Sequence, residues 1–124
     1  MDLTIAKQWL EDYKTAWETQ SPELIAKLFT SEGQYFETPF LVHTGYQQIY
    51  DYWIAAPLTQ KDINFQYKIF GLFEGKVIAH WNSKFTRADI PKELDGIFLL
   101  DLDAEGKCKV LREWWHSKPI TNVE

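Results

Sequence analysis

The sequence predicts an α+β domain in which three helices lie against one side of a curved, mainly antiparallel sheet. Three observations lead there. Apolar residues recur at steps of three and four through the first third of the chain and at steps of two through the last half. The stretch Leu94 to Lys118 reads as two long strands joined by a tight turn at Ala104-Glu105-Gly106-Lys107. That hairpin ends in the pair Trp114-Trp115, and neighbouring side chains on a strand point to opposite faces. One indole therefore goes to the covered face of the sheet and the other to its back.

The first helix shows Ala6, Trp9, Leu10, Tyr13, Ala16 and Trp17 on one face, with Lys7, Glu11, Lys14 and Glu18 opposite, in water. Its buried face is aromatic where Leu and Ile are usual, which suits the wall of a pocket as well as core packing. Ser21-Pro22-Glu23 starts a second, short helix with a hydroxyl N-cap, a proline in the first turn and an acid beside it. That helix is expected to bury Leu24, Ile25, Leu28 and Phe29 and to end at Gly33. Gln34 to Phe40 reads as a strand closed by Pro39. Thr44-Gly45-Tyr46-Gln47 is a capping-box pattern that opens a third helix, with Tyr46, Ile49, Tyr50 and Trp53 on one face and a stop before Pro57.

Beyond Pro57 the period changes to two. Ile63, Phe65, Tyr67 and Ile69 alternate with polar residues, Glu74-Gly75 turns the chain, and Val77, Ala79, Trp81, Ser83 and Phe85 share a face on the way back. Asp89 to Glu93, with Pro91, is expected to be a loop before the final hairpin. Helices first and long strands last make one α+β domain spanning residues 1–124.

Composition narrows the function classes. The chain has 124 residues, 45% of them hydrophobic and 16% aromatic, enough for one substantial core. A formal charge of −5 argues against a nucleic-acid or anionic-membrane surface. The single Cys108 excludes an internal disulfide and a cysteine-built metal site. No basic-then-apolar leader and no spanning apolar run is present, so a cytoplasmic protein is expected. There is no metal-ligating His pair, glycine-rich phosphate loop or nucleophile elbow, and no metal or other cofactor is expected.

The element order, with Ala16-Trp17 to Phe29, YFETPF ahead of Gly45, Ile49 and Trp53, and the final REWWH after an acidic-glycine turn, resembles the nuclear transport factor 2-like superfamily in its SnoaL-like and ketosteroid-isomerase-like branches. The resemblance implies a cone: a strongly bent sheet wrapped around the N-terminal helix, with an apolar pocket at the open end. It also implies a homodimer formed through the back of the sheet, where one Trp of the pair sits beside Val110 and Ile78. Fold alone licenses no reaction. The phenolic donor of ketosteroid isomerases falls at Tyr13, allowing one gap, their base at Thr38 and their second acid at Phe98. Two of these three positions lack the required group, so the ketosteroid-isomerase chemistry is not expected here and only the geometry is carried over.

The same register turns Thr38, Trp81, Ser83, Phe98, Leu100, Leu111, Glu113 and Trp115 inward, and Val110, Arg112, Trp114 and His116 outward with His80 and Asp101. Trp17, Phe36, Thr38, Trp53, Trp81, Ser83, Phe98, Leu100 and Trp115 are the expected ligand-binding residues. Glu113 is the candidate acid or base, with Tyr13 and Ser83 as companions, since desolvation raises a carboxyl's pKa. Its alternative is a simple ion pair with Arg112 or a lysine. Glu37 should face away from the pocket, and His43 shows no partner. The opposite register would make His80 and His116 a histidine–carboxylate site. Two functions follow: a binding domain for an apolar small molecule, which the largely apolar inward set favours, or an isomerase, dehydratase or cyclase using Glu113.

Overall fold

The computed structural model describes residues 3–55 and 57–120. Three helices, α1 (Leu3–Glu18), α2 (Pro22–Ala26) and α3 (Gly45–Ala55), are combined with six strands. The strands are β1 (Phe29–Thr38), β2 (Leu41–Thr44), β3 (Gln60–Phe73), β4 (Lys76–Arg87), β5 (Ile90–Leu102) and β6 (Cys108–Pro119). They form one curved, unclosed sheet in the order β2-β1-β6-β5-β4-β3. Every neighbouring pair is antiparallel except β1 with β6, which run parallel.

The aromatic stripe of α1 is the buried face the spacing predicts: Ala6, Trp9, Leu10, Tyr13, Ala16 and Trp17 are all covered. Tyr13 stacks on Trp9 at 5.3 Å and meets Phe98 edge-on at 5.3 Å, so the helix and the sheet share one aromatic cluster. Lys14 and Glu18, expected in water, instead clamp α1 to β3. Lys14 Nζ donates to the Phe65 carbonyl, and the Phe65 amide donates to Glu18 Oε2 at 2.9 Å.

α2 is shorter than its apolar pattern suggests. Ser21 accepts the Leu24 amide and Pro22 occupies the first turn as expected, but the helix ends at Ala26 and Leu24 faces solvent. The reason is downstream: the Leu28 carbonyl accepts both the Trp9 indole and the Cys108 amide, which draws the chain into β1 from Phe29. Gly33 therefore lies inside a strand. At α3, Gln48 and not Gln47 reaches back to the Thr44 amide (2.7 Å), because Gly45 takes a positive φ and shifts the first turn by one residue. Ile49 and Trp53 are buried, whereas Tyr46 is exposed.

The long hairpins follow the period-two pattern. Glu74 and Gly75 both have positive φ in the two-residue turn between β3 and β4, which explains the glycine there. The expected loop over Asp89 to Glu93 is mostly strand. Ala88 and Asp89 make the turn, and β5 has already begun at Ile90. Pro91 is tolerated because it stands at the start of the strand.

Gly96 fixes how closely the inner aromatics approach β5. A Cβ there would lie 2.6 Å from the Trp114 carbonyl oxygen, 2.9 Å from Trp115 Cβ and 3.0 Å from Trp81. Gly96→Ala is expected to destabilise the fold by about 1–3 kcal/mol through overpacking, read as a lowered urea midpoint.

Candidate functional site

The inner face of the sheet and the helices enclose a cavity of about 180 Å³. Its depth is set along β5 and β6, where Phe98 pairs with Glu113, Gly96 with Trp115, Leu94 with Ser117 and Lys92 with Pro119. Glu113 therefore sits deep, and Lys92 and Ser117 sit toward the mouth. Of the ligand-binding residues expected from sequence, Trp17, Trp53, Trp81 and Trp115 line the cavity, as do Tyr13 and Glu113. Ser83, Phe98 and Leu100 are buried on the same face but do not line it.

Phe36 and Thr38 are not part of the cavity wall, and this corrects the inward assignment of β1. Tyr35 pairs with Leu111 and is buried, so Phe36, opposite Arg112, points outward and has the Arg112 guanidinium 4.0 Å above its ring. The β1–β2 register slips between Phe36 and Thr38, and the Thr38 hydroxyl accepts the Phe40 amide in the local turn. Glu37, expected to face away, lines the cavity instead. Its carbonyl accepts the Trp115 indole N–H at 2.9 Å, which ties β1 to the end of β6.

The Glu37 carboxylate in turn holds His43, whose Nε2 lies 3.0 Å from Oε1. Tyr52 stacks on the His43 ring at 4.6 Å. Neither partner of His43 was visible in the sequence, since the bulge before Pro39 leaves no signal of its own. Tyr35, Tyr52, Gln60 and Arg87 also line the cavity and were missed. A period-two count outward from the buried Tyr35 would have found Glu37.

Glu113 is 4% exposed. Burial pushes its carboxyl up to about 8, opposed by a hydrogen bond from Tyr35 and reinforced by the charge of Glu37. Arg112, a candidate ion-pair partner by sequence, lies on the other face. Tyr13 and Tyr35 are raised well above the ordinary phenol value, first by burial and then by the charge of Glu113. Both therefore stay protonated. The Tyr35 hydroxyl is within hydrogen-bonding reach of Tyr13 and of Glu113, so the three form one buried polar group.

The histidines named for the opposite register stay outside. His80 contacts both oxygens of Asp95 at 2.9 Å on the outer face, Asp101 being paired with Lys109 instead, and His116 is exposed. Cys108 is buried, and burial drives its thiol well above the ordinary value, away from the reactive thiolate. Among the described residues no cluster of three or more metal-ligating side chains is present, and no helix is long and apolar enough to cross a membrane.

A bent, unclosed sheet wrapped around an aromatic helix is the cone fold of the nuclear transport factor 2-like proteins. Solved structures of this kind align over nearly the whole chain. SalBIII, described as an epoxide hydrolase/cyclase-like enzyme in salinomycin pyran ring formation, matches with a TM-score of 0.79 at 16% identity over 93% of each chain. A putative scytalone dehydratase from Novosphingobium aromaticivorans matches with a TM-score of 0.79 at 14% identity, over 98% of this chain and 89% of that one. A hypothetical protein with a ketosteroid isomerase-like fold from Catenulispora acidiphila gives a TM-score of 0.74 at 15% identity, over 86% of this chain and 83% of that one. No family model and no curated protein matches the sequence.

The raised carboxyl has a thermodynamic consequence. From about pH 4.5 to about 8 the folded chain keeps a Glu113 proton that the unfolded chain releases. The unfolded state then binds fewer protons, so this group makes stability fall as pH rises through that window, with the loss complete above it. Glu113→Gln is expected to flatten the slope and to exceed the wild type at pH 9 by on the order of a few kcal/mol. Urea midpoints of both proteins at pH 5, 7 and 9 check this.

Proposed function

We propose that the chain is an acid–base enzyme acting on a small ring- or carbonyl-containing substrate, with Glu113 as proton donor. The observation that carries this reading is a buried carboxyl, pushed up to about 8, facing a cavity next to two protonated tyrosines. At pH 7 most Glu113 carboxyls hold their proton and can donate it to a substrate oxygen. Tyr13 and Tyr35 stabilise charge developing there.

Glu37 supplies what Thr38 lacks. Held by His43, it is the second carboxylate in the cavity and accepts a proton from carbon next to the carbonyl. The C–H bond breaks, its electron pair moves into the enol, and the oxygen takes the Glu113 proton. Returning the proton from Glu37 to carbon and the oxygen proton to Glu113 closes the cycle. A proton donor and a proton acceptor facing one cavity are what such an enolisation needs. A purely hydrophobic binding domain, which the sequence favoured, accounts less well for two carboxyls and three tyrosines in the wall.

Incubation with a panel of cyclic ketones in D₂O, followed by NMR, tests the reaction without a known product. Exchange of hydrogen for deuterium next to the carbonyl is expected in the wild type. It should fall by about 10²-fold or more in Glu113→Gln and in Glu37→Gln. Absence of exchange across the panel, with Glu113 titrating near 4.5 by NMR, would return the chain to the ligand-binding reading.

The outer face carries Trp114, 48% exposed, and Phe70, which stacks on His80. A second copy of the chain covering this face is the assembly we propose. Sedimentation is expected to give a dimer at micromolar concentration, and a monomer that persists on concentration would overturn it.

A further inference from the structure

Two cations flank the cavity at the end away from Glu113. Arg87 and Lys92 both line it, and neither has an ion-pair partner among the described residues. In a chain of net charge −5, two cations with no carboxylate partner among the described residues, in the lining of a largely aromatic cavity, are a specific feature; the Arg87 guanidinium lies 5.5 Å from the Phe85 ring. The neighbouring donors are also unpaired. Trp53 Nε1, Trp81 Nε1 and Arg87 Nε are buried with no hydrogen-bond partner among the described residues, although the indoles of Trp9, Trp17 and Trp115 each donate to an oxygen. Trp53 and Trp81 are 3% and 2% exposed, and both line the cavity. A buried donor without an acceptor is unfavourable, so three in the lining of one cavity point to an acceptor supplied from outside the chain.

We infer that the cavity takes a one-ring carboxylate, with its ring among the aromatics and its carboxylate held by Arg87, with Lys92 beside it. The planar guanidinium fork matches a carboxylate in two parallel hydrogen bonds, and the ring's own oxygen substituent meets the indole donors. Size agrees. A closed apolar cavity of roughly 150 Å³ accommodates a benzene ring, and this one measures about 180 Å³ with the two cations in its lining. A phosphate dianion suits the site less well, because Glu37 and Glu113 share the same cavity and no helix N-terminus or glycine-rich loop lines it.

The reactive end of such a substrate is the Glu37–Glu113 pair proposed above. Lys92 and Phe98 are six residues apart on β5, about 20 Å along the strand before the reach of the side chains is subtracted. The anchor and the acid thus lie toward opposite ends of the cavity.

Benzoate, its neutral analogue benzamide, and the isotope-labelled full chain test the inference. Benzoate is expected to shift the indole N–H signals of Trp53 and Trp81, assigned with Trp53→Phe and Trp81→Phe. Its affinity should exceed that of benzamide by about tenfold or more, and fall by a similar factor in Arg87→Gln and by less in Lys92→Gln. Equal affinity for the two probes, no binding of benzoate, or unchanged binding in a folded Arg87→Gln would each overturn the carboxylate site. Binding that passes these tests in a protein showing no ketone exchange would keep the carboxylate site and reject only the acid–base chemistry.

Discussion

The contact on which the structure depends is the seam between the aromatic stripe of α1 and the inner face of the sheet. Tyr13 touches Trp9, Trp17, Trp53, Phe65 and Phe98, and so draws on one neighbour or more from both long helices, β3 and β5. Aromatic rings bury large areas with few rotatable bonds, so a seam built from them is stiff. Stiffness lets the sheet stay bent and open. A seam of flexible aliphatics would be free to collapse into the space that is now the cavity.

The same seam explains the behaviour of Glu113. A carboxyl beside water keeps its ordinary acidity whatever its neighbours in sequence. Here Trp81, Trp115 and the tyrosines of α1 and β1 exclude solvent around it, and desolvation is the largest influence on its proton. The hydrophobic effect and the acid–base character of the cavity are therefore two results of one arrangement. Tyr35 moderates it, donating toward the carboxyl that its own burial helps to desolvate.

Much of this could be read from the chain itself, where a single period governs a whole element. The buried residues of α1 and the alternation of Val77 to Phe85 follow directly from spacing, whereas the hairpin alone left the face open and the register implied by the resemblance put Glu113 inside and Trp114 outside, as they lie. The sequence failed where tertiary contacts interrupt a period. α2 ends early because the Leu28 carbonyl is claimed by Trp9 and Cys108, and β1 carries Glu37 inward because its register is set by β6 and not by Pro39. Hydrogen bonds between residues far apart in sequence have no local signature. For that reason the wall contributed by β1, with Tyr35, Glu37 and His43, was the least legible part of the site.

The parallel pairing of β1 with β6 also governs when the cavity comes into being. Tyr35 and Leu111 meet across that pair although about 76 residues separate them, whereas the β3–β4–β5–β6 meander joins near neighbours through short turns. Contacts between distant residues are slow to form because loop closure precedes any gain from pairing. The meander can thus assemble first, leaving β1 to dock onto a finished β6. Tyr35 and Glu37, which both act on the Glu113 proton, belong to that docking strand. The unusual acidity of Glu113 thus depends on the pairing that joins the most distant parts of the chain.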